Sequence, residues 1–525
     1  MRRYDLRALA HDAIAVLWVS SAWAGAPIDL IVAAAHPGPT IDRNVFGQFA
    51  EHLGAGIYGG VWVGKGSSIP NVRGIRRDVV VALRALKVPN VRWPGGCFAD
   101  EYHWRDGVGP QAKRKSTINA NWGAAIEPNS FGTDEFMDFI AQIGSEAYVS
   151  VNVGSGTAQE AADWLAYMTA PTSTSAGEER AANGHPEPYR VKFLGIGNES
   201  WGCGGAMTPD YYLSQLKIYS RYVRNYNPAQ TGDRAMRRIA VGADGGVTDY
   251  PEAIMRAWHD KVWSWDIEGL SLHSYTTAGW PPKHPSTHFD EREYALMLKD
   301  TLAMEGLISK HSTIMDKYDP EKKILLAVDE WGVWLAPMAG TNPGFLVQQN
   351  SLRDALLASL NFNMFVRHSD RVRMANIAQM TNVLQAMIMT DRERMVLTPT
   401  YHAFRMYVPF QDATYLPVKV DAGTYTEGMT SLPRVDSIAA RDHQGRIWLA
   451  ITNLDARESV RISVALGSAE AHSARGEVLS AQHVDEVNSF EVPQAVWPQP
   501  FAATASGGAL TLDVPAKSLV VVQLE

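Results

Sequence analysis

Short runs rich in β-branched residues alternate with longer amphipathic stretches between about residues 41 and 412. The short runs, 44–50, 90–93, 147–153, 191–197, 239–243, 267–273, 324–329 and 372–379, predict eight strands. Between them, apolar residues recur three and four positions apart over 78–86, 134–143, 160–168, 211–222, 294–311 and 351–366. That is the spacing of a helix face laid on a sheet. Eight strand–helix units in about 370 residues predict an α/β architecture, a (β/α)8 barrel over residues 41–412. A doubly wound open sheet is the rival, but no G-x-G-x-x-G follows any of the strands.

Past residue 412 the pattern turns into closely spaced alternating runs, 435–440, 446–453, 460–465, 510–514 and 518–524. Turn residues such as Asp442-His443-Gln444-Gly445 separate them. This predicts an all-β, jelly-roll-like antiparallel sandwich over 413–525, packed directly on the barrel. The early run 28–34 precedes the first barrel strand, and segment 27–40 is expected to add a strand to the sandwich. Ahead of it, Arg2 and Arg3, the apolar stretch 13–19 and Ala22-Trp23-Ala24-Gly25-Ala26 make up the parts of a secretory signal over residues 1–26. Cleavage after Ala24 or Ala26 and a secreted or periplasmic product are expected. Asp5, His11 and Asp12 interrupt the pattern, and the alternative is a plain extension on a cytoplasmic protein.

Charge and composition then narrow the function. The chain has 525 residues with 48 basic and 56 acidic side chains, a net charge of -8 that argues against a nucleic-acid partner. No apolar run is long enough to span a bilayer, so no membrane role is expected. The two cysteines, Cys97 and Cys203, exclude a disulfide scaffold and a four-thiolate metal site. An oxidising compartment could link them, but two free buried thiols are the expectation. No His/Asp/Glu group shows metal-ligand spacing, and no metal is expected.

In a barrel, chemistry sits at the C-terminal strand ends. Two glutamates stand out there, Glu199 after strand four and Glu330 after strand seven. They lie 131 residues apart, about three barrel repeats. Paired carboxylates facing each other across a barrel mouth are what glycosidic bond cleavage needs, one as acid and base, the other as nucleophile or activator of water. Asn198 beside Glu199 is placed to bind a sugar hydroxyl, and Trp201 would help to raise a carboxyl pKa, so Glu199 is read as the acid/base. Glu330, deep in an apolar run, is read as the rigid nucleophile. Alternatively, either glutamate could be a structural partner of arginines, and Glu51 an ion-pair partner of Arg92. His52 reads as a packed loop histidine.

The strings RWPGGCFADEYHWRDGVGP (92–110), GIGNESWGCGG (195–205), LHSYT (272–276), DEWGVW (329–334) and MANIAQMTNVLQ (374–385) occur in this order at strand ends. Together they resemble glycoside hydrolase family 51, the α-L-arabinofuranosidases, over about residues 41–420. The resemblance implies an enzyme removing non-reducing terminal arabinofuranose from hemicellulose or pectin fragments, with retention and without a cofactor. It implies Glu199 as acid/base and Glu330 as nucleophile positioned by Tyr275, with Glu51, Asn198 and Gln379 around the sugar. His273 is expected beside the nucleophile, Trp122 as a stacking ring, and Cys97 as a sulfur contact where some members carry asparagine. It also implies a homo-oligomer. Retention would require carboxyl groups roughly 5 Å apart. The alternatives are a retaining endo-β-glucanase or xylanase, told apart by an open cleft, and a non-catalytic carbohydrate-binding barrel, told apart by loss of one carboxylate.

Overall fold

The computed structural model describes residues 27–467, 471–507 and 509–525. The leader-like segment lies outside them. Eight parallel strands close into a barrel in sequence order: β1 (Gly47–Phe49), β2 (Asn90–Trp93), β3 (Glu146–Val151), β4 (Val191–Ile196), β5 (Arg237–Asp244), β6 (Gly269–Thr276), β7 (Leu325–Val333) and β8 (Val372–Ile377), with β8 paired back to β1. Tyr148, Phe193, Ile239, Leu325, Ala327 and Met374 fill its interior as one buried cluster. The barrel is therefore a packed core whose open end is a floor for a site.

Three local departures from the sequence pattern have physical causes. The first expected strand begins as a 3-10 turn, Arg43–Phe46, because the Asp42 carboxylate accepts from the Asn44 amide and winds the chain. The expected helix over 294–311 is two, Glu291–Thr301 and Met304–Tyr318. Asp300 accepts from the Thr277 and Ala278 amides, and Thr301 bonds Thr276. These bonds pin the end of the first helix to the end of β6 and break the run there. Strands β6 and β7 also run past the expected ends at 273 and 329, so His273, Tyr275 and Glu330 are held inside strands.

The C-terminal strands form two sheets. One orders Val418–Val420, Ile28–Val32, Val460–Ala465 and Leu510–Val514. The other orders Thr414–Leu416, Val435–Arg441, Ile447–Asn453, Ser518–Leu524, Ser473–Leu479 and Gln499–Thr504. Leu30, Leu449, Ile462, Leu512 and Val520 are among the side chains that make a shared core between them. The sandwich is not wholly antiparallel, since Ile28–Val32 runs parallel to Val460–Ala465.

Helix Leu352–Arg367 joins the two parts. It starts at a capping box between Ser351 and Asp354 and is buried on every side up to Val366. A helix buried all round belongs between two layers, and its polar members find partners across the junction. Ser359 bonds Thr452 at 2.9 Å, and Asn363 donates to Asp436 at 3.2 Å. Removing the Phe193 ring from the barrel interior should leave an unfilled cavity. Phe193→Ala is expected to cost about 3–5 kcal/mol, read as a lowered midpoint in denaturant unfolding followed by fluorescence.

Candidate active site

Arg92 on β2 is the centre of the constellation. It is 1% exposed and lies over the Phe49 ring, 4.7 Å from its centroid. One guanidinium nitrogen donates to Glu330 Oε1 at 2.6 Å and another to Asn198 Oδ1 at 2.6 Å. The Asp329 carboxylate stands 3.6 Å from Nε. Burial works to discharge the guanidinium, but Asp329 and Glu330 outweigh it and raise its pKa, so the cation persists. The expected alternative pairing of Arg92 with Glu51 does not form.

Glu330 also accepts from the Tyr275 hydroxyl on Oε2 at 2.7 Å. Burial and the neighbouring Glu330 keep the Tyr275 pKa well above its usual value, so the phenol remains a donor. Both oxygens of Glu330 are thus oriented by groups on β2 and β6, which suits a carboxylate that must attack from one fixed direction. Gly96 completes the fit: a Cβ there would lie 2.8 Å from Glu330 Oε1.

Glu199 follows β4 through a turn that leaves its own φ at 38°, in the left-handed region that side chains usually avoid. The turn aims its carboxylate across the mouth. Oε1 meets His273 Nδ1 at 2.8 Å. Oε2 stands 3.5 Å from Cys203 Sγ, a contact in which a disulfide sulfur has no proton to give. Burial raises the Glu199 pKa, the His273 bond works against this, and the charge of Glu330 adds to it. The net direction is upward, as an acid/base requires.

His273 sits between the carboxylates. Nδ1 is 3.6 Å from Glu330 Oε2, and Nε2 is 3.3 Å from Asp329 Oδ1. Burial favours its neutral form, yet Glu330, Asp329 and Glu199 together push it up to about 10. The imidazolium form is thereby favoured, bonded to Glu199 through Nδ1 and facing the charge of Glu330 from farther off. Asp329 is held below its usual range, against the effect of burial, by Arg92, by His273 and by the Tyr148 hydroxyl that it accepts from at 2.6 Å.

Glu51, past β1, lines the other side. Oε1 accepts from the Gly96 and Phe98 amides at 2.9 and 3.1 Å, and Oε2 from Gln379 Nε2 at 3.1 Å. Burial and Glu330 raise its pKa to about 7, against the Phe98 amide and the nearby Trp122 indole. Gly95 is required here, with φ at 158° and a Cβ that would fall 2.5 Å from Glu51 Cγ. Trp122 lies in the loop of the hairpin formed by Thr117–Asn119 and Ala125–Glu127. His52 is packed as expected, meeting Glu127 at 2.9 Å and accepting from the Trp93 indole at 3.0 Å.

The expectation of free buried thiols is overturned. Cys97 and Cys203 form a disulfide, with Cys97 half-buried and Cys203 exposed. The loops after β2 and β4 bring the two cysteines to a Cα separation of 5.5 Å, which sequence distance hides. Cys97 therefore offers a bridged sulfur to the site. Bridging also removes the thiolates from the grouping of Cys97, Cys203 and Glu199 as a metal site. In the other grouping, Glu199, His273 and Glu330, the raised pKa of His273 works against the neutral imidazole that a metal would need.

Several residues escaped the sequence reading. Arg92 was weighed only against Glu51, although its place inside a strand rather than after it marks a buried charge in need of partners. Asp100 accepts from the amides of Val153, Gly154 and Asn198 and so ties the loops after β2, β3 and β4 together. Trp334 packs edge-on against Tyr275 at 5.1 Å, and Trp280, 71% exposed, packs edge-on against Trp334 at 5.3 Å. Their spacing after His273 and Glu330, on strand ends already singled out, was the available signal.

Comparison with known proteins agrees with this geometry. Residues 82–276 match the α-L-arabinofuranosidase 1 domain model, and residues 329–518 match the α-L-arabinofuranosidase C-terminal domain model. An intracellular exo-α-L-arabinofuranosidase of Bacteroides ovatus is 46% identical over 92% of this chain and 93% of its own length. The crystal structure of the GH51 arabinofuranosidase from Xanthomonas axonopodis pv. citri is 49% identical with a TM-score of 0.91, covering 95% of this chain and all of that one. The arabinose complex of the Thermotoga maritima α-L-arabinofuranosidase superposes with a TM-score of 0.82 at 29% identity, covering 94% and 99% of the two chains. On these grounds, the chain belongs to the α-L-arabinofuranosidases of glycoside hydrolase family 51.

Proposed function

We propose that the protein is a retaining, exo-acting α-L-arabinofuranosidase that releases terminal non-reducing arabinofuranose from arabinoxylan, arabinan or their oligosaccharides. One observation carries the reading: an oxygen of Glu199, an oxygen of Glu330 and a nitrogen of His273 all lie within 4.8 Å of one another. Retaining glycosidases hold their carboxyl groups about 5–5.5 Å apart, and inverting ones leave about 6.5–9.5 Å for a water.

In the first step Glu330 attacks the anomeric carbon while protonated Glu199 gives its proton to the departing glycosidic oxygen. An arabinosyl ester on Glu330 results. In the second step Glu199, now ionised, takes a proton from water as its oxygen attacks the same carbon and frees Glu330. Arg92 and Tyr275 hold Glu330 and accept the change in its charge. His273 orients Glu199 through its Nδ1 contact. Glu51, Asn198 and Gln379 supply hydrogen-bond partners for the sugar hydroxyls, with Cys97 and Trp122 as neighbouring walls.

Export is part of the proposal. It rests on the leader-like residues 1–26 and is supported by the Cys97–Cys203 disulfide, a bond that persists in oxidising compartments. The Bacteroides ovatus relative is named as intracellular, which makes the point worth testing. Mass spectrometry of the mature chain should find Gly25 or Pro27 first; an intact Met1 on the exported protein would sink the idea. Homo-oligomerisation is retained on the family likeness and is read by sedimentation.

Glu330→Ala should lower hydrolysis of 4-nitrophenyl α-L-arabinofuranoside by at least about a thousandfold, and wild-type rates in that variant would refute the mechanism. Glu199→Gln should spare arabinosylation by this good leaving group but slow release of the ester, so that KM falls with kcat and azide restores turnover. Because the Glu199 pKa is raised, the wild-type rate on an arabino-oligosaccharide, whose poor leaving group needs the proton, should hold through weakly acidic pH and fall as rising pH ionises Glu199 in the resting enzyme. That alkaline limb should be absent from Glu199→Gln.

Glu51 gives a further test. Its folded-state pKa of about 7 exceeds the usual 4.5, so ionisation costs stability progressively as pH rises from 4.5 to about 7. The difference corresponds to about 3 kcal/mol at most. Glu51→Gln carries no such penalty, and Gln379 can turn its amide to meet it. The variant should melt higher than wild type at pH 8 and lose this advantage by pH 4.5, while binding arabinose more weakly.

A further inference from the structure

Away from the barrel mouth, a groove of about 800 Å³ runs along the C-terminal domain. Trp497 stands in it, flanked by Gln482, Gln494 and Gln499 and by the hydroxyls of Ser459 and Ser480. Trp497 is 37% exposed and is met edge-on from the core by His402, which is 1% exposed, with ring centroids 4.5 Å apart. The preceding residue is equally fixed. Asn488, fully buried, accepts from the Val496 amide at 2.8 Å and donates to the Val496 carbonyl at 3.0 Å. An exposed tryptophan on a backbone held this firmly is a preformed platform.

The chemistry around it selects a class of ligand. Three carboxamides and two hydroxyls offer donors and acceptors together, matching sugar hydroxyls that are both. The one charged side chain in the lining, Lys517, donates its ammonium to the Ala456 carbonyl at 3.0 Å. An acidic ligand would call for a cluster of cations, and among the described residues of the lining Lys517 is the single one, with one of its donors already on a backbone carbonyl. A second copy of the chain would need an apolar centre to the contact, and Trp497 is the only large apolar side chain in the lining. A flat ring beside neutral donors and acceptors is how a protein holds an uncharged sugar.

We propose that this groove binds the uncharged backbone of a polysaccharide, holding the polymer on the C-terminal domain while a branch is hydrolysed in the barrel. The polymer class rests on the function proposed above, whereas the groove's own binding does not.

The test is native electrophoresis in gels containing xylan freed of arabinofuranose, which offers the barrel mouth no terminal residue, or linear arabinan with excess L-arabinose to occupy that mouth. Wild-type protein should be retarded in at least one gel. Trp497→Ala and the doubly substituted Gln494→Ala/Gln499→Ala should lose at least about fivefold in retention. Both should keep the wild-type rate on 4-nitrophenyl α-L-arabinofuranoside and lose severalfold in kcat/KM on the matching polymer. The surface glutamine pair serves should Trp497→Ala fail to fold. Absence of retardation in both gels, or variants retained like wild type, would overturn the proposal. So would a fall in sedimentation coefficient on substitution, which would make the groove a contact between copies. Retention without hydrolysis of the aryl arabinofuranoside would leave the groove standing and defeat the catalytic reading instead.

Discussion

A single buried cation organises the barrel mouth. Arg92 is shut away from the surface, so the fold must surround it with acceptors, and it does so with Glu330, Asp329 and Asn198. Glu330 and Asp329 stand on β7, and Asn198 follows β4. Meeting the needs of one guanidinium therefore aligns β4 and β7 relative to β2, and with them the residues next to its partners. Glu199 follows Asn198 directly, so the same bond that satisfies Arg92 sets where Glu199 starts.

The charges then sort themselves by environment. Arg92 and His273 are cations, and Glu330 and Asp329 stand against them. Glu51 and Glu199 are the carboxyls that burial pushes upward. Chemically similar side chains within one small volume are thus given different duties, because each faces a different set of charges and donors. Glu51 shows the tension in this arrangement. It is held by two amides and one carboxamide, yet burial and the charge of Glu330 keep its ionised form expensive inside the fold.

Close approach is secured by glycine and by backbone geometry rather than by adaptable side chains. Gly95 and Gly96 let the loop after β2 pass against Glu51 and Glu330 where any Cβ would collide. The left-handed turn at Glu199 adds local strain that the surrounding contacts hold in place. Behind the barrel, helix Leu352–Arg367 is clasped between the two domains, so the sandwich is part of what keeps β7 and β8 in register.

Much of this was legible in the sequence, for a physical reason. Apolar periodicity reflects which faces are buried, and this exposed the eight strand–helix units and the change to closely spaced strands after residue 412. Strand-end motifs marked Glu199 and Glu330, since a barrel delivers chemistry from those ends. What periodicity cannot carry is contact between distant segments. The Cys97–Cys203 bridge, the partners of Arg92, the placing of His273 between two carboxylates and the parallel pairing of Ile28–Val32 all join residues far apart along the chain. The break in the predicted helix at Leu302 and Ala303 came likewise from side chains reaching the end of β6. The sequence by itself determined which residue types stand at each strand end. Only the tertiary structure decided which of them meet and which carboxyls keep their protons, because desolvation and charge pairing depend on separations in space that chain order does not encode.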